Sequence, residues 1–322
     1  MGAMSLVEAL VLGIVEGVTE FLPVSSTGHL IVASALMGLD ETPRQKAAVD
    51  TFNIVIQGGA ILAVLGIYFP RIVRMTRGLL GRDPEGLALA LRLILAFIPA
   101  AVLGLWLAET IEAALFNTPT VLTALALGGI FMIGLDRTRL RRFRAGSAAQ
   151  SIDQPPPDLG PDLHQISFRQ AALIGLLQCV AMIPGTSRSM MTIAGGVLVG
   201  LHPRRAAEFS FLLGLPTLGG ACVYSLYKTL SSDGPSMFEV IGWAPIAVGM
   251  VSATVCAAIA VRWLVGFLNR HGLAVFGYYR IALAGVLGSL IYAGFVELTP
   301  PEELNPLPGV PAAPESPAPT TE

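Results

Sequence analysis

The chain has 322 residues, of which 53% are hydrophobic and only 13% charged, and its mean hydropathy is +0.69. Soluble domains carry about 25% charged residues, so this composition excludes a soluble enzyme and a disordered chain and points to an integral membrane protein. A net charge of −2 leaves no basic footprint for nucleic acid.

In chain order, the first apolar stretch runs near 6–37 and is interrupted by Pro23-Val24-Ser25-Ser26-Thr27-Gly28-His29. Apolar runs near 51–69, 86–108 and 119–136 follow. Each is close to the roughly 20 residues a helix needs to cross hydrocarbon. After a polar linker, 137–167, comes a second interrupted stretch near 168–201, broken at Pro184-Gly185-Thr186-Ser187-Arg188-Ser189. Runs near 206–228, 241–265 and 281–298 complete the pattern. The halves of each interrupted stretch are too short to cross and read as re-entrant or broken helices. The expected fold is therefore all-α, with six transmembrane helices plus two re-entrant helix pairs. The linker contains Pro155-Pro156-Pro157, and the tail 299–322 is rich in Pro, Ala, Thr and Glu. That composition predicts a disordered tail. The first apolar run lacks the basic start of a cleavable signal peptide. Cys179, Cys222 and Cys256 lie far apart in apolar runs, without metal-ligand spacing.

Basic residues orient the chain. If both interrupted stretches return to the side they entered from, the linkers 70–85, 137–167, 202–205 and 269–280 share one side. Arg71, Arg74, Arg77, Arg82, Arg137, Arg139, Arg141, Arg142, Arg144, Arg204, Arg205, Arg270 and Arg280 then lie together. The opposite side holds Arg44, Lys46 and Lys228. The positive-inside rule makes the Arg-rich side cytoplasmic and puts both termini outside.

The two interrupted stretches also resemble each other. Gly13 matches Gly175, Glu16 matches Gln178, and Val18 matches Val180. With a one-residue gap, Pro23 falls on Pro184 and Ser26 on Ser187. Residues 1–136 and 168–298 then read as two repeats, each a re-entrant element plus three spans. An odd number of spans inverts the second copy. Inverted repeats with broken helices place their site where the half-helix N-termini meet.

Few polar residues fall in apolar territory, which makes them informative. Glu16 and Glu20 share a helix face at i and i+4. A carboxylate at bilayer depth is costly, so a cation site, a general base, or both are expected there. Ser25, Ser26 and Thr27 precede one half-helix; Thr186, Ser187 and Ser189 flank the other. Such hydroxyls can cap helix N–H groups, and the same N–H groups bind anions. Arg188 offers a planar fork of donors suited to phosphate, or an ion pair with Glu16 or Glu20. His29 is a candidate acid, base or nucleophile. Asn53 and Gln57, one turn apart, are candidates to line the same cavity. The constellation suits phosphoryl chemistry, and the membrane suggests a lipid-borne phosphate.

At these residues the chain resembles the undecaprenyl-diphosphate phosphatase, or bacitracin-resistance, family. Glu16-Gly17-Val18-Thr19-Glu20 and the loop through His29 look like the family's Glu/Gln-x-x-x-Glu motif, and Pro184–Thr192 matches its PGxSRSxxT motif in full. The resemblance runs over about residues 5–298. In the family's Phe-Asp/Glu-x-x-Ile-Gln stretch this chain carries Asn53, so no acidic role is carried to that position, while Gln57 is retained. The resemblance implies hydrolysis of undecaprenyl diphosphate to undecaprenyl phosphate and inorganic phosphate, recycling the carrier for peptidoglycan synthesis and conferring bacitracin resistance. It implies a divalent cation, Mg²⁺ or Ca²⁺, at Glu16 and Glu20. Glu16, Glu20, Ser26, His29 and Arg188 are the implied catalytic set. Thr27, Thr186, Ser187, Ser189 and Gln57 are expected to bind substrate. The implied location is the bacterial plasma membrane, with the site facing the periplasm. The assembly is open between a monomer and a homodimer.

Two other classes compete. Broken inverted repeats are common in transporters, so a lipid flippase is the first. The second is the lipid-phosphatase superfamily with K-x6-RP and SR-x5-H-x3-D motifs. Here the required His position after Arg188 is Ala194, and no K-x6-RP occurs.

Overall fold

The computed structural model describes residues 4–39, 43–140, 162–231 and 237–295. The tail 299–322 and most of the linker 137–167 lie outside the described residues. The fold is helical, and the described residues contain no strand. In chain order the helices are α1 (Leu6–Thr19), α2 (Ser26–Leu36), α3 (Pro43–Ile67), α4 (Phe69–Leu79), α5 (Pro84–Leu115) and α6 (Thr118–Leu135). After the linker come α7 (Phe168–Val180), α8 (Arg188–Leu198), α9 (Pro203–Ser231), α10 (Trp243–His271) and α11 (Ala274–Tyr292), with a four-residue helix, Met237–Val240, between α9 and α10.

Six segments are long and apolar enough to cross a membrane: Gln45–Ile67, Pro84–Leu107, Thr118–Thr138, Pro203–Tyr227, Trp243–Leu268 and Ala274–Tyr292. They carry large apolar side chains on the molecular surface. Leu105 and Trp106 on α5 are 80% and 81% exposed, and Val251 and Ile259 on α10 are also exposed. A surface of this kind is unfavourable in water and natural against lipid. The protein is a multi-pass membrane protein.

The two interrupted stretches form short helices on either side of a loop, where the sequence placed the breaks. α1 and α2 have 14 and 11 residues, α7 and α8 have 13 and 11. At 1.5 Å per residue none is longer than about 21 Å, short of the roughly 30 Å of hydrocarbon. Capping boxes start both leading helices, with Ser5 and Glu8 on α1 and Ser167 and Gln170 on α7.

The register between the stretches differs from the gapped one. α2 spans 26–36 and α8 spans 188–198, a constant shift of 162. Gly13–Gly175 and Glu16–Gln178 obey the same shift. Ser25, not Ser26, therefore stands opposite Ser187. Backbone geometry agrees: Ser25 (φ 73°) and Ser187 (φ 75°) are the two non-glycine residues in the left-handed region among the described residues. Proline matching favoured the gap, but backbone conformation sets the equivalence.

Small residues let the short helices pack closely against long ones. α1 lies along α10, where a Cβ on Gly17 would come within 2.4 Å of the Ala253 carbonyl. α7 lies along α5, where a Cβ on Gly175 would come within 2.4 Å of the Ala96 carbonyl.

One boundary expectation is corrected. Residues 269–280 are not a cytoplasmic linker, because α11 begins at Ala274 rather than near 281. The Asp136 carboxylate accepts the Leu273 N–H at 2.9 Å and anchors the start of this helix. Arg280 is consequently inside the protein, fully buried, donating to the carbonyls of Ala124, Leu125 and Gly185. α6 makes room for it: a Cβ on Gly128 would stand 2.6 Å from Arg280 Nη2.

At the Arg-rich ends of the spans, charges form a closed ring. Arg71 pairs with Asp162 at 3.2 Å and Glu208 at 3.4 Å, and Arg205 with the same two at 3.1 and 3.2 Å. Burial pushes the Asp162 carboxyl up, but the Leu163 N–H and the two guanidiniums outweigh it, leaving it below its ordinary value. Asp83 is also held low, chiefly by its hydrogen bond from Arg74.

Candidate active site

The site is built where the loops between α1 and α2 and between α7 and α8 meet. Glu20 closes the C-terminal end of α1, its N–H donating to the Glu16 carbonyl at 2.9 Å. Its Oε1 accepts from Arg188 Nη2 at 3.0 Å, and its Oε2 accepts from the Ser26 hydroxyl at 2.7 Å. One carboxylate thus joins a hydroxyl of the first loop to the guanidinium of the second.

Arg188 is further fixed by two contacts. Its Nη1 donates to the Ser210 carbonyl of α9 at 3.0 Å, and its Cζ lies 5.6 Å from the centre of the Phe21 ring. Gly214 leaves the space it occupies, since a Cβ there would be 2.9 Å from Nη1. The arginine is thus held by backbone, ring and carboxylate together, with its side chain 10% exposed. Phosphate oxygens would find a pre-placed fork rather than a mobile chain.

Glu16 lies one turn before Glu20 and is fully buried. Among the described residues neither of its carboxylate oxygens has a hydrogen-bond partner. A buried charge without a partner is strongly unfavourable. An oxygen-seeking cation is the group that this arrangement fits, since Glu20 stands on the same face. No group of three or more His, Cys, Asp or Glu placed to hold a metal ion occurs among the described residues, so two carboxylates are the acidic donors at hand.

The remaining expected residues divide by placement. Ser187 caps α8, accepting the Met190 N–H at 3.3 Å, and contacts the Ser189 hydroxyl at 3.0 Å. Ser189 is buried and donates to the Leu22 carbonyl at 2.8 Å, so it ties the loops together. Thr186 is buried within the same loop, and Thr27 is half-buried on the first turn of α2. Gln57 is half-buried on α3, where the buried Asn53 Oδ1 has no partner among the described residues. His29 reaches the site, but its Nδ1 is 2.7 Å from the Ser25 carbonyl and its Nε2 is 2.6 Å from the Tyr279 hydroxyl.

Residue-type reasoning missed four contributors: Ser210, Gly214, Tyr279 and Arg280. Arg280 holds the Gly185 carbonyl at 2.8 Å, at the tip of the second loop. The glycines of α6 beside it were the available sequence signal. Thr192 fastens α8 to α9 through the Ser210 hydroxyl at 2.6 Å.

A multi-pass helical membrane protein with a buried carboxylate–hydroxyl–guanidinium site at two helix breaks is the class that fold and site define. Such a site is suited to anionic headgroups. The chain belongs to the family described as bacitracin resistance protein BacA, whose model matches residues 9–286. It is 43% identical to the undecaprenyl-diphosphatase of Sorangium cellulosum, over 87% of this chain and 84% of that protein. It is 43% identical to the undecaprenyl-diphosphatase of Pseudomonas syringae pv. tomato, over 90% and 95% of the two chains. Undecaprenyl-diphosphatase 2 of Rhodospirillum rubrum is 41% identical over 92% and 98%.

Proposed function

We propose that this chain hydrolyses undecaprenyl diphosphate to undecaprenyl phosphate and inorganic phosphate, recycling the lipid carrier for peptidoglycan and conferring bacitracin resistance. The single observation that carries the mechanism is Glu20, hydrogen-bonded to Ser26 and ion-paired with Arg188. Family membership and the names of the relatives support the substrate.

Arg188 and the N–H groups that open α2 and α8 hold the diphosphate. Glu20 accepts the Ser26 proton as the serine oxygen attacks the terminal phosphorus. The bridging P–O bond breaks, undecaprenyl phosphate leaves, and water then cleaves the phosphoserine to release inorganic phosphate. Direct attack by water, with Ser26 as a binding hydroxyl, is the competing route. Glu16, with Glu20, would hold a divalent cation, Mg²⁺ or Ca²⁺. The chemistry such a cation would supply is positive charge against the phosphate oxygens. Thr27, Thr186, Ser187 and Gln57 complete the headgroup surroundings, with Ser189 bracing the loops.

The two halves are read as inverted repeats, 1–136 and 168–298, each with a re-entrant helix pair. The constant shift of 162 and the matched left-handed serines support this. The Arg71, Arg204 and Arg205 side is the cytoplasmic one, in a bacterial plasma membrane with the site open to the periplasm. Paired helix breaks also favour lipid transport as a second reading. A homodimer remains compatible with the exposed faces of α5 and α10, and native mass spectrometry in detergent separates it from a monomer.

Phosphate release from undecaprenyl diphosphate and shorter prenyl diphosphates, by purified protein in detergent with and without a chelator, tests the proposal. Detergent abolishes vectorial transport and spares hydrolysis. Cation-dependent release is expected; a folded protein that releases none would overturn it.

A further inference from the structure

The first loop lacks a device that the second has. Ser187 sits at φ 75° and caps α8 with its own hydroxyl. Its counterpart Ser25 sits at φ 73° and makes no side-chain cap among the described residues. A left-handed non-glycine residue is strained and persists only where its surroundings hold it. What holds Ser25 is its carbonyl, bonded to His29 Nδ1 at 2.7 Å. The position equivalent to His29 in the second half is Met191, so this support belongs to one loop alone.

A carbonyl only accepts, so Nδ1 must carry the hydrogen. In the neutral ring, Nε2 then presents its lone pair to the Tyr279 hydroxyl, 2.6 Å away. The two ring planes are parallel within 2°, with centroids 5.6 Å apart. Both ring nitrogens are therefore engaged, one by the loop and one by α11. The neighbouring Ser26 hydroxyl, by contrast, meets a carboxylate.

We propose that Tyr279 is a positioning residue: its hydroxyl fixes His29 as the Nδ1–H tautomer, and His29 holds the Ser25 carbonyl so that Ser26 stays against Glu20. His29 then acts through the loop rather than on phosphorus. This rests on the reading of Ser26 and Glu20 given under Proposed function.

Two measurements test it on the full chain in detergent. In phosphate release, His29→Asn keeps a side-chain N–H where Nδ1 stood and has no titrating ring. It retains activity within about tenfold, whereas His29→Ala loses at least about a hundredfold. Tyr279→Phe lowers kcat with KM unchanged, and in the His29→Asn background it has no further effect. If His29→Asn is folded and as inactive as His29→Ala, a ring nitrogen does the chemistry and the proposal fails. Undiminished release by Tyr279→Phe also overturns it. The second measurement is independent of activity: nitrogen NMR of protein labelled at histidine, with the His29 signals identified by their loss in His29→Asn. A protonated Nδ1 with a bare Nε2 is expected in the unsubstituted chain, giving way to mixed tautomers in Tyr279→Phe. A tautomer unaffected by Tyr279→Phe contradicts the proposal, whereas a chain that releases no phosphate but shows the expected tautomer contradicts only the hydrolase reading.

Discussion

Arg188 Nη2 lies 3.0 Å from Glu20 Oε1, joining residues 168 positions apart in sequence and from opposite loops. Both side chains are nearly buried, so neither charge is easily left alone. Removing one partner of a buried pair costs about 3–5 kcal/mol, because the other stays uncompensated. Arg188→Leu and Glu20→Leu are each expected to lower the melting temperature. The double variant should fall by less than the sum of the two. Thermal unfolding in detergent checks this; additive losses would mean the pair is not coupled.

Glu16 makes the cation prediction. Its two oxygens are buried and unpartnered among the described residues. Chelation should abolish phosphate release, and Mg²⁺ or Ca²⁺ should restore it. Glu16→Gln should raise the cation concentration needed by about 10–100-fold, the size seen when a metal site loses a supporting group. The same variant should melt higher than the unsubstituted chain in chelator, because it removes a buried carboxylate that lacks a partner. Titrating activity and melting temperature against cation separates the two effects.

Gly214 lies on α9 under the guanidinium. A Cβ there would stand 2.9 Å from Arg188 Nη1 and 3.1 Å from Nη2. The long side chain can move aside, so Gly214→Ala should fold normally. Its cost falls on placement: kcat should drop by about 10- to 100-fold, as misplacement near the chemistry does. Steady-state kinetics beside a melting curve show whether activity falls while stability holds.

The Arg71–Asp162–Arg205–Glu208 ring gives a pH dependence with a definite sign. Asp162 is held below its ordinary value. Its contribution is therefore full above the unfolded value, near about 4, and is lost as pH falls through the lower folded value. Asp162→Asn should cost about 1 kcal/mol at pH 7, or about 2–4 °C in Tm. That difference should stay constant from pH 7 to about 5 and shrink below about 4. Melting curves of both proteins across this range decide it.

Much of the candidate site is legible because polar residues are rare in this chain. Glu16, Glu20, Ser26 and Arg188 stood out as charges and hydroxyls beside proline breaks in apolar runs, and those breaks mark real ends of α1, α2, α7 and α8. Arg280 misled for the same reason. An arginine in an apolar run reads as the end of a span, yet its partners are backbone carbonyls of α6 and the second loop. Backbone acceptors leave no residue-type signature. Tyr279 was hidden likewise, as one tyrosine of a Tyr-Tyr-Arg run whose partner His29 lies 250 residues away. The repeat register slipped by one because Pro23 and Pro184 attract each other in an alignment, while the equivalence lies in the left-handed serines.

The Ser26–Glu20–Arg188 junction is the proposed centre for hydrolysis of a prenyl diphosphate. Arg188→Lys tests it most directly, since it keeps a positive charge against Glu20 and removes only the planar fork. Single-turnover release of inorganic phosphate from undecaprenyl diphosphate is the measurement, on protein whose melting curve matches the unsubstituted chain. A fall of at least about a hundredfold is predicted, the scale of losing one pre-placed donor to a transition-state oxyanion. Release at the unsubstituted rate would place the chemistry away from this guanidinium.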